Sequence, residues 1–94
     1  MIDDGFFLLI EEFVKSSKEL ADAAALCQDD PIKQDMVFFV QDEFASIQAR
    51  SEGIKLLITK NYTENRDFIF EEMRNIIKSS RNISTQIRDT LKGL

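Results

Sequence analysis

The sequence has no histidine and a single cysteine in 94 residues. Without histidine it lacks the commonest general base, the serine–histidine–aspartate triad and the histidine ligands of di-iron helical bundles. One cysteine cannot by itself supply the ligands of a structural zinc site. The sequence also contains no glycine-rich phosphate loop and no calcium loop. We therefore expect no enzyme, no metal or other cofactor, and no small-molecule substrate.

The reactive side chains that remain are poorly placed for chemistry. Cys27 has no second cysteine to pair with, and the charges of Asp29 and Asp30 beside it disfavour a thiolate. We expect Cys27 to be a small core residue. Adjacent acids such as Glu71 and Glu72 point about 100° apart on a helix, so they do not converge on one proton or one metal ion.

Proline and glycine are scarce, with one and three residues respectively. Hairpins and β-sandwiches need these residues at their turns, so the scarcity favours long helices. The chain is 44% hydrophobic and 31% charged, which is in the range of globular proteins. Its length suits one domain. We predict a single all-α domain over residues 1–94.

The net charge of −5 argues against a nucleic-acid partner, because an acidic chain repels phosphate backbones and anionic lipid. The densest group of basic side chains consists of Arg74, Lys78, Arg81, Arg88 and Lys92. Acidic residues are interleaved with them, as on a solvated helix face. We expect no binding to nucleic acid.

Neither a membrane span nor a signal peptide is indicated. The apolar run at residues 6–10 is too short for either. Asp3 and Asp4 stand where a signal peptide would carry lysine or arginine. We expect a cytoplasmic protein without membrane association.

Three stretches repeat apolar or small residues every three or four positions, a pattern typical of helices packed along a shared seam. We predict helices over about 4–28, 31–60 and 63–93. The seams are Phe6, Ile10, Phe13, Ser17, Leu20, Ala24 and Cys27; Val37, Val40, Phe44, Ile47, Ser51, Ile54 and Ile58; and Ile69, Met73, Ile76, Ser80, Ile83, Ile87, Thr90 or Leu91, and Leu94.

Helix-capping residues support these boundaries. Asp3 or Asp4 can cap the first helix. Asp30 can cap the second, with Pro31 at the first helical position, where a missing N–H does no harm. At the third helix, Asn61 with Glu64 resembles a capping box, and Thr63 is a competing cap.

Short connections make neighbouring helices antiparallel, so the sequence predicts an antiparallel up-down-up three-helix bundle. One alternative stays open, because neither glycine nor proline separates Lys60 from Glu64. Helices two and three could fuse into one rod, which would find its packing partners in a second copy as a swapped dimer.

Folding the chain at both connections predicts two packing features. Ser17, Phe44 and Ser80 come to the same level, where two small residues would accommodate one ring. The alanine-rich end of the first helix, residues 21–25, faces Phe38 and Phe39, which we expect to fill the space it leaves. Gly53 would allow close approach of a neighbouring backbone. Apolar residues beside the seams should widen the buried faces; they are Phe7, Leu9, Val14, Leu57, Phe70 and Ile77.

A few apolar side chains do not fit this core. Leu8, Leu56 and Phe68 fall at one end of the predicted bundle, and either Phe38 or Phe39 must turn outward if the other turns in. An exposed apolar patch usually marks a protein interface. We therefore predict that these five residues contact a partner, which is another protein or a second copy of the chain.

The sequence is typical of a small cytosolic protein–protein interaction module, such as an adaptor, an export chaperone or a regulator. The alternative is a structural or self-assembling helical-bundle subunit of a scaffold. Both functions use exposed apolar helix faces, so the pattern alone does not separate them.

Overall fold

The computed structural model describes residues 4–93, and 92% of these residues are helical, with no strand among them. Helix α1 spans Asp4–Ala25, helix α2 spans Pro31–Met36, a 3-10 turn spans Phe38–Val40, and helix α3 spans Gln41–Lys92. The prediction of an all-helical chain is confirmed. Asp3 and Leu94, which entered the predicted cap and the third seam, lie outside the described residues.

Helix α1 ends three residues earlier than predicted, because its hydrogen bonds change there to carbonyls three residues back. The N–H groups of Leu26, Cys27 and Gln28 donate to carbonyls three residues back at 3.2–3.3 Å, as in a 3-10 turn. The next boundary is as predicted. The Asp30 carboxylate accepts from the N–H groups of Ile32 and Lys33 at 3.1 and 3.3 Å, and Pro31 occupies the first helical position.

The predicted helix over 31–60 is wrong, because it is interrupted at residues 37–40. Val37 leaves the helical conformation with φ −108° and ψ 11°, and a 3-10 turn follows. A 3-10 turn has three residues per turn, so residues three apart lie on the same side. Val37 and Val40 are accordingly both buried. The interruption aligns these two valines toward the core.

Helix α3 includes the expected boundary at residues 60–63, where its backbone is interrupted by a sharp bend. Asn61 and Asn65 have non-helical backbone angles, and the side-chain amide of Asn65 donates to the Asn61 carbonyl at 3.0 Å. A straight helix of 52 residues would be about 78 Å long, whereas the longest extent of the molecule is 48 Å. Arg50, before the bend, pairs with Glu72, after it. The two arms of α3, residues 41–60 and 66–92, therefore lie side by side.

The buried residues follow the second and third predicted seams. Every described member of both seams is buried or half-buried. The first seam is shifted by one residue at two levels, where Ser16 and Ala23 are fully buried in place of Ser17 and Ala24. The Ser16 hydroxyl donates to the Phe13 carbonyl at 3.0 Å, which satisfies it inside the core.

The expectations for three residues, Phe7, Val14 and Gly53, are wrong. Phe7 and Val14 do not widen the buried face of α1, since their exposed fractions are 56% and 60%. Gly53 does not allow close helix approach, because a Cβ built there meets nothing within 4 Å. The other flanking residues, Leu9, Leu57, Phe70 and Ile77, are buried or half-buried.

An aromatic cluster fixes the start of α1 against the bend of α3. The Phe6 ring is 1% exposed and lies 4.8 Å from the Tyr62 ring in an edge-to-face arrangement. Its centroid is 5.9 Å from that of Phe70. Further along α1, Glu12 and Glu19 both pair with Arg81 of α3, at 2.7 and 3.5 Å. These contacts hold α1 along the second arm of α3.

Phe6→Ala should lower the free energy of unfolding by about 3–5 kcal/mol, because it removes a fully buried ring from this cluster. The adjacent Phe7→Ala is a matched control, and as an exposed position it should change the value by only about 0.5 kcal/mol. Urea unfolding followed by circular dichroism measures both. Equal effects of the two substitutions would contradict the described packing of α1.

The Glu12–Arg81 pair predicts a weak pH dependence of stability. The hydrogen bond and charge of Arg81 lower the pKa of Glu12 below its ordinary value of 4.5. A lowered folded-state pKa stabilises the fold above the ordinary pKa, and this contribution is lost as the pH falls through the folded-state value. The stability gap between wild type and Glu12→Gln should therefore be present at neutral pH and disappear in acid. Because both groups are exposed, it should be small and should shrink with added salt.

Glu11→Gln is the control for that measurement, since Glu11 forms no ion pair with any described residue. A Glu12→Gln stability gap that is unchanged between neutral and acidic solution would show that the ion pair does not contribute.

Candidate functional site

An open apolar groove lies between the end of α1 and the start of α3. One wall carries the short side chains of Ala21, Ala24 and Ala25, and the opposite wall carries Val37, Val40 and Phe44. Its volume is about 440 Å³. We call it the alanine groove; its remaining lining residues are Cys27, Gln28, Gln34, Gln41 and Ile87.

The groove exists because the expected fillers do not enter it. Phe38 and Phe39 were both predicted as candidates to pack on the alanines, but their exposed fractions are 65% and 49%. The 3-10 turn directs Val37 and Val40 inward, so the two rings between them point outward. A methyl group on one wall and a valine on the other leave a gap that no described side chain occupies.

The segment joining the two walls carries further exposed apolar residues. Leu26 is 47% exposed and Ile32 is 70% exposed. With Phe38 and Phe39, four large apolar side chains within residues 26–39 therefore reach solvent, and none of them lines the groove itself. Apolar surface concentrated in this way usually marks an interaction site.

The polar groups of the groove are amides. Gln28, Gln34 and Gln41 line it, all three are exposed, and each is followed in the chain by an exposed aspartate: Asp29, Asp35 and Asp42. Glutamine amides can both donate and accept hydrogen bonds. The groove can thus hold an apolar group while offering hydrogen bonds at its margin.

The groove offers little for catalysis. Cys27, its one nucleophile, is 4% exposed, and its thiol lies 4.0 Å from the Ala23 carbonyl, as expected for a small core residue. Residues 4–93 contain no cluster of three or more acidic, cysteine or histidine side chains that could hold a metal ion. Over the same range, no helix combines the length and the apolar character required to cross a bilayer.

The other predicted partner residues are exposed but far from the groove. Leu8, Leu56 and Phe68 are 64%, 58% and 54% exposed. Leu8 follows the buried Phe6 by two residues and Phe68 precedes the buried Phe70 by two, so each lies about 200° around its helix from a core residue. Both are on outward faces near the bend of α3. A single patch uniting the three residues stays a prediction.

A second cavity, of about 350 Å³, tests the predicted serine layer. Ser17, Phe44 and Ser80 all border it, so the fold brings the three residues together. Ser17 is exposed, whereas Ser80 is fully buried and its hydroxyl has no hydrogen-bond partner in the structure. The Phe44 ring is half-buried and shared between this cavity and the alanine groove. The ring therefore does not fill the layer completely.

Filling the alanine groove should not destabilise the fold. In Ala24→Phe the ring enters existing space, so its burial should offset the lower helix propensity of phenylalanine, about 0.5 kcal/mol, and leave stability equal or about 1 kcal/mol higher. Ala23→Phe is the matched control, because Ala23 is fully buried and has no space beside it. Overpacking there should lower the free energy of unfolding by at least about 2 kcal/mol. If chemical denaturation shows equal losses in both variants, the groove is not open in solution.

Comparison with known proteins assigns no function to this arrangement. No family model matches the chain, and no curated protein or solved structure is significantly similar to it.

Proposed function

We propose that this protein is a small cytoplasmic protein-interaction module, an adaptor, export chaperone or regulator, that binds a segment of another protein in the alanine groove. The observation that carries the proposal is an open apolar groove whose lining segment, residues 26–39, also carries four exposed apolar side chains. The proposal includes no enzymatic activity, no cofactor and no nucleic-acid partner.

The margin of the groove favours a protein segment over a small molecule. Small-molecule pockets typically enclose most of their ligand. Here the groove is open, and the short stretch between its lining residues Val37 and Val40 adds the exposed rings of Phe38 and Phe39, which do not line it. Exposed aromatic side chains are characteristic of residues that dominate protein interfaces. A partner segment can cover both the groove and these rings.

We also propose the up-down-up bundle as the arrangement that holds the groove. Phe6 contacts Phe70, and Glu12 pairs with Arg81, so α1 runs parallel to the second arm of α3. Arg50 pairs with Glu72 across the bend, which is the antiparallel arrangement of the two arms. In the alternative, a swapped dimer, α3 would straighten at Asn61 and Asn65 and make the same contacts with a second copy.

A self-assembling subunit is the second candidate function. Leu8, Leu56 and Phe68 support it, since they are exposed on helix faces away from the groove. Leu8→Glu and Phe68→Glu should dissociate such an assembly while helicity is retained. The groove module, by contrast, should be a monomer in light scattering and indifferent to these two substitutions.

Partner capture from cells of the source organism tests the groove directly. Wild type should retain a partner that Ala24→Phe loses by about tenfold or more, because the added ring occupies the binding space. Ala49→Phe is the control, since Ala49 is exposed on α3 and borders none of the described cavities. Equal capture by all three proteins would refute binding in the groove. Quantitative mass spectrometry of the bound fraction gives the ratios.

A further inference from the structure

We propose that the segment bound in the alanine groove is a positively charged amphipathic helix of a partner protein. This inference rests on the proposed function and specifies the chemistry of its partner. The charge distribution around the groove carries the argument.

Negative charge is concentrated in the segment that supplies most of the groove lining, although no acidic residue itself lines the groove. Residues 19–43 contain seven acidic residues and one lysine, a net charge of −6, whereas the rest of the chain has ten acidic and eleven basic residues. Ile87 also lines the groove, and the following turn adds Arg88, Asp89 and Lys92, which leaves the region at −5. Arg81, which pairs with Glu19, brings the region to −4. The groove region therefore holds most of the net negative charge of the protein.

Most of these acids have no cation beside them. Glu19 pairs with Arg81, and Asp30 caps α2. No described residue forms an ion pair with the others, which are Asp22, Asp29, Asp35, Asp42 and Glu43. All five are exposed. Uncompensated charge of one sign around an apolar site attracts a partner of the opposite sign and repels a like one.

Three of the acids have a regular relation to the groove. In each of the pairs Gln28–Asp29, Gln34–Asp35 and Gln41–Asp42, the glutamine lines the groove and the aspartate is exposed next to it. Each amide that lines the groove is thus followed in the chain by a carboxylate that is free to pair with lysine or arginine. A partner with apolar residues on one side and basic residues on the flanks matches this order.

The groove favours a helix over an extended segment. An extended peptide usually binds by adding to the edge of a sheet, and residues 4–93 contain no strand. A cavity of about 150 Å³ holds one benzene-sized group, so 440 Å³ accommodates about three such groups. A helix presents that number of apolar side chains at positions i, i+3 or i+4, and i+7.

Two designed peptides test the proposal. Both are about 18 residues long, with the same leucines at i, i+3, i+4 and i+7 spacing, and with lysine in one and glutamate in the other at the flanking positions. Fluorescence anisotropy measures their binding to the full chain at about 50 and 300 mM NaCl. The lysine peptide should bind at least about tenfold more tightly than the glutamate peptide and should weaken at the higher salt concentration.

Protein variants separate the contributions of the groove and the charge. Ala24→Phe should weaken binding of the lysine peptide about tenfold, and Ala49→Phe should leave its affinity unchanged. The triple variant Asp29→Asn, Asp35→Asn and Asp42→Asn should bind the lysine peptide at least about fivefold more weakly. Its helicity should be unchanged, because all three sites are exposed. A circular dichroism spectrum of each variant verifies its fold.

The opposing outcomes are distinct. Equal, groove-dependent binding of both peptides would overturn the charge inference and leave the proposed function standing. Binding of the lysine peptide to Ala24→Phe as tightly as to wild type would show general attraction of a polycation, and failure of both peptides to bind would overturn the inference even if partner capture succeeded. A wild-type dimer that Ala24→Phe dissociates would identify the occupant as a second copy and overturn both proposals.

Discussion

The distance between packed helices is set by the size of the side chains between them, and the structure depends on this constraint. Those side chains are large at one end of α1 and small at the other. At the bend of α3, the rings of Phe6, Tyr62 and Phe70 meet and fill the space. At the other end, α1 presents alanines over residues 21–25, and the opposite wall presents valines. The same helices cannot close tightly around both sets, so the end with small side chains retains a groove.

Two interruptions of the helical backbone determine which side chains face the core. Two interruptions, at residues 37–40 and at 61–65, occur without glycine or proline. At the first, a change from α-helical to 3-10 geometry keeps Val37 and Val40 in the core and places two phenylalanines outside. At the second, the side-chain amide of Asn65 donates a hydrogen bond to the Asn61 carbonyl. Only the first interruption shapes the groove.

The sequence predicts what hydrophobic periodicity controls and fails where local backbone geometry decides. The seams from Val37 to Ile58 and from Ile69 to Leu91 were readable, because one spacing fixes one buried face. Ser16 could not be distinguished from Ser17, since a seam with spacings of three and four tolerates either choice and both residues are serine. The cap formed by Asp30 and Pro31 was predicted because its chemistry is local.

The sequence predicted some residues of the candidate site but not the open groove that they form. The alanine-rich end and the neighbouring phenylalanines were recognised together, and the contrast in side-chain size suggested that the rings would fill the space beside the alanines. The predicted second seam already assigned Val37 and Val40 to the core, and the structure shows that both rings between them are exposed. The pairing of glutamine with aspartate at 28–29, 34–35 and 41–42 is a signal that sequence reasoning missed, because it acquires meaning once the three glutamines face one groove.

An open apolar groove would ordinarily promote association between copies of the chain. The acids near it oppose this, because two copies meeting groove to groove would bring together two regions of net negative charge. Like charges brought close in a partly desolvated contact are unfavourable by several kcal/mol. In the proposed function, the charge that would recruit a basic segment would therefore also oppose contact between the grooves of two copies, so one feature of the surface would act on both self-association and the choice of partner.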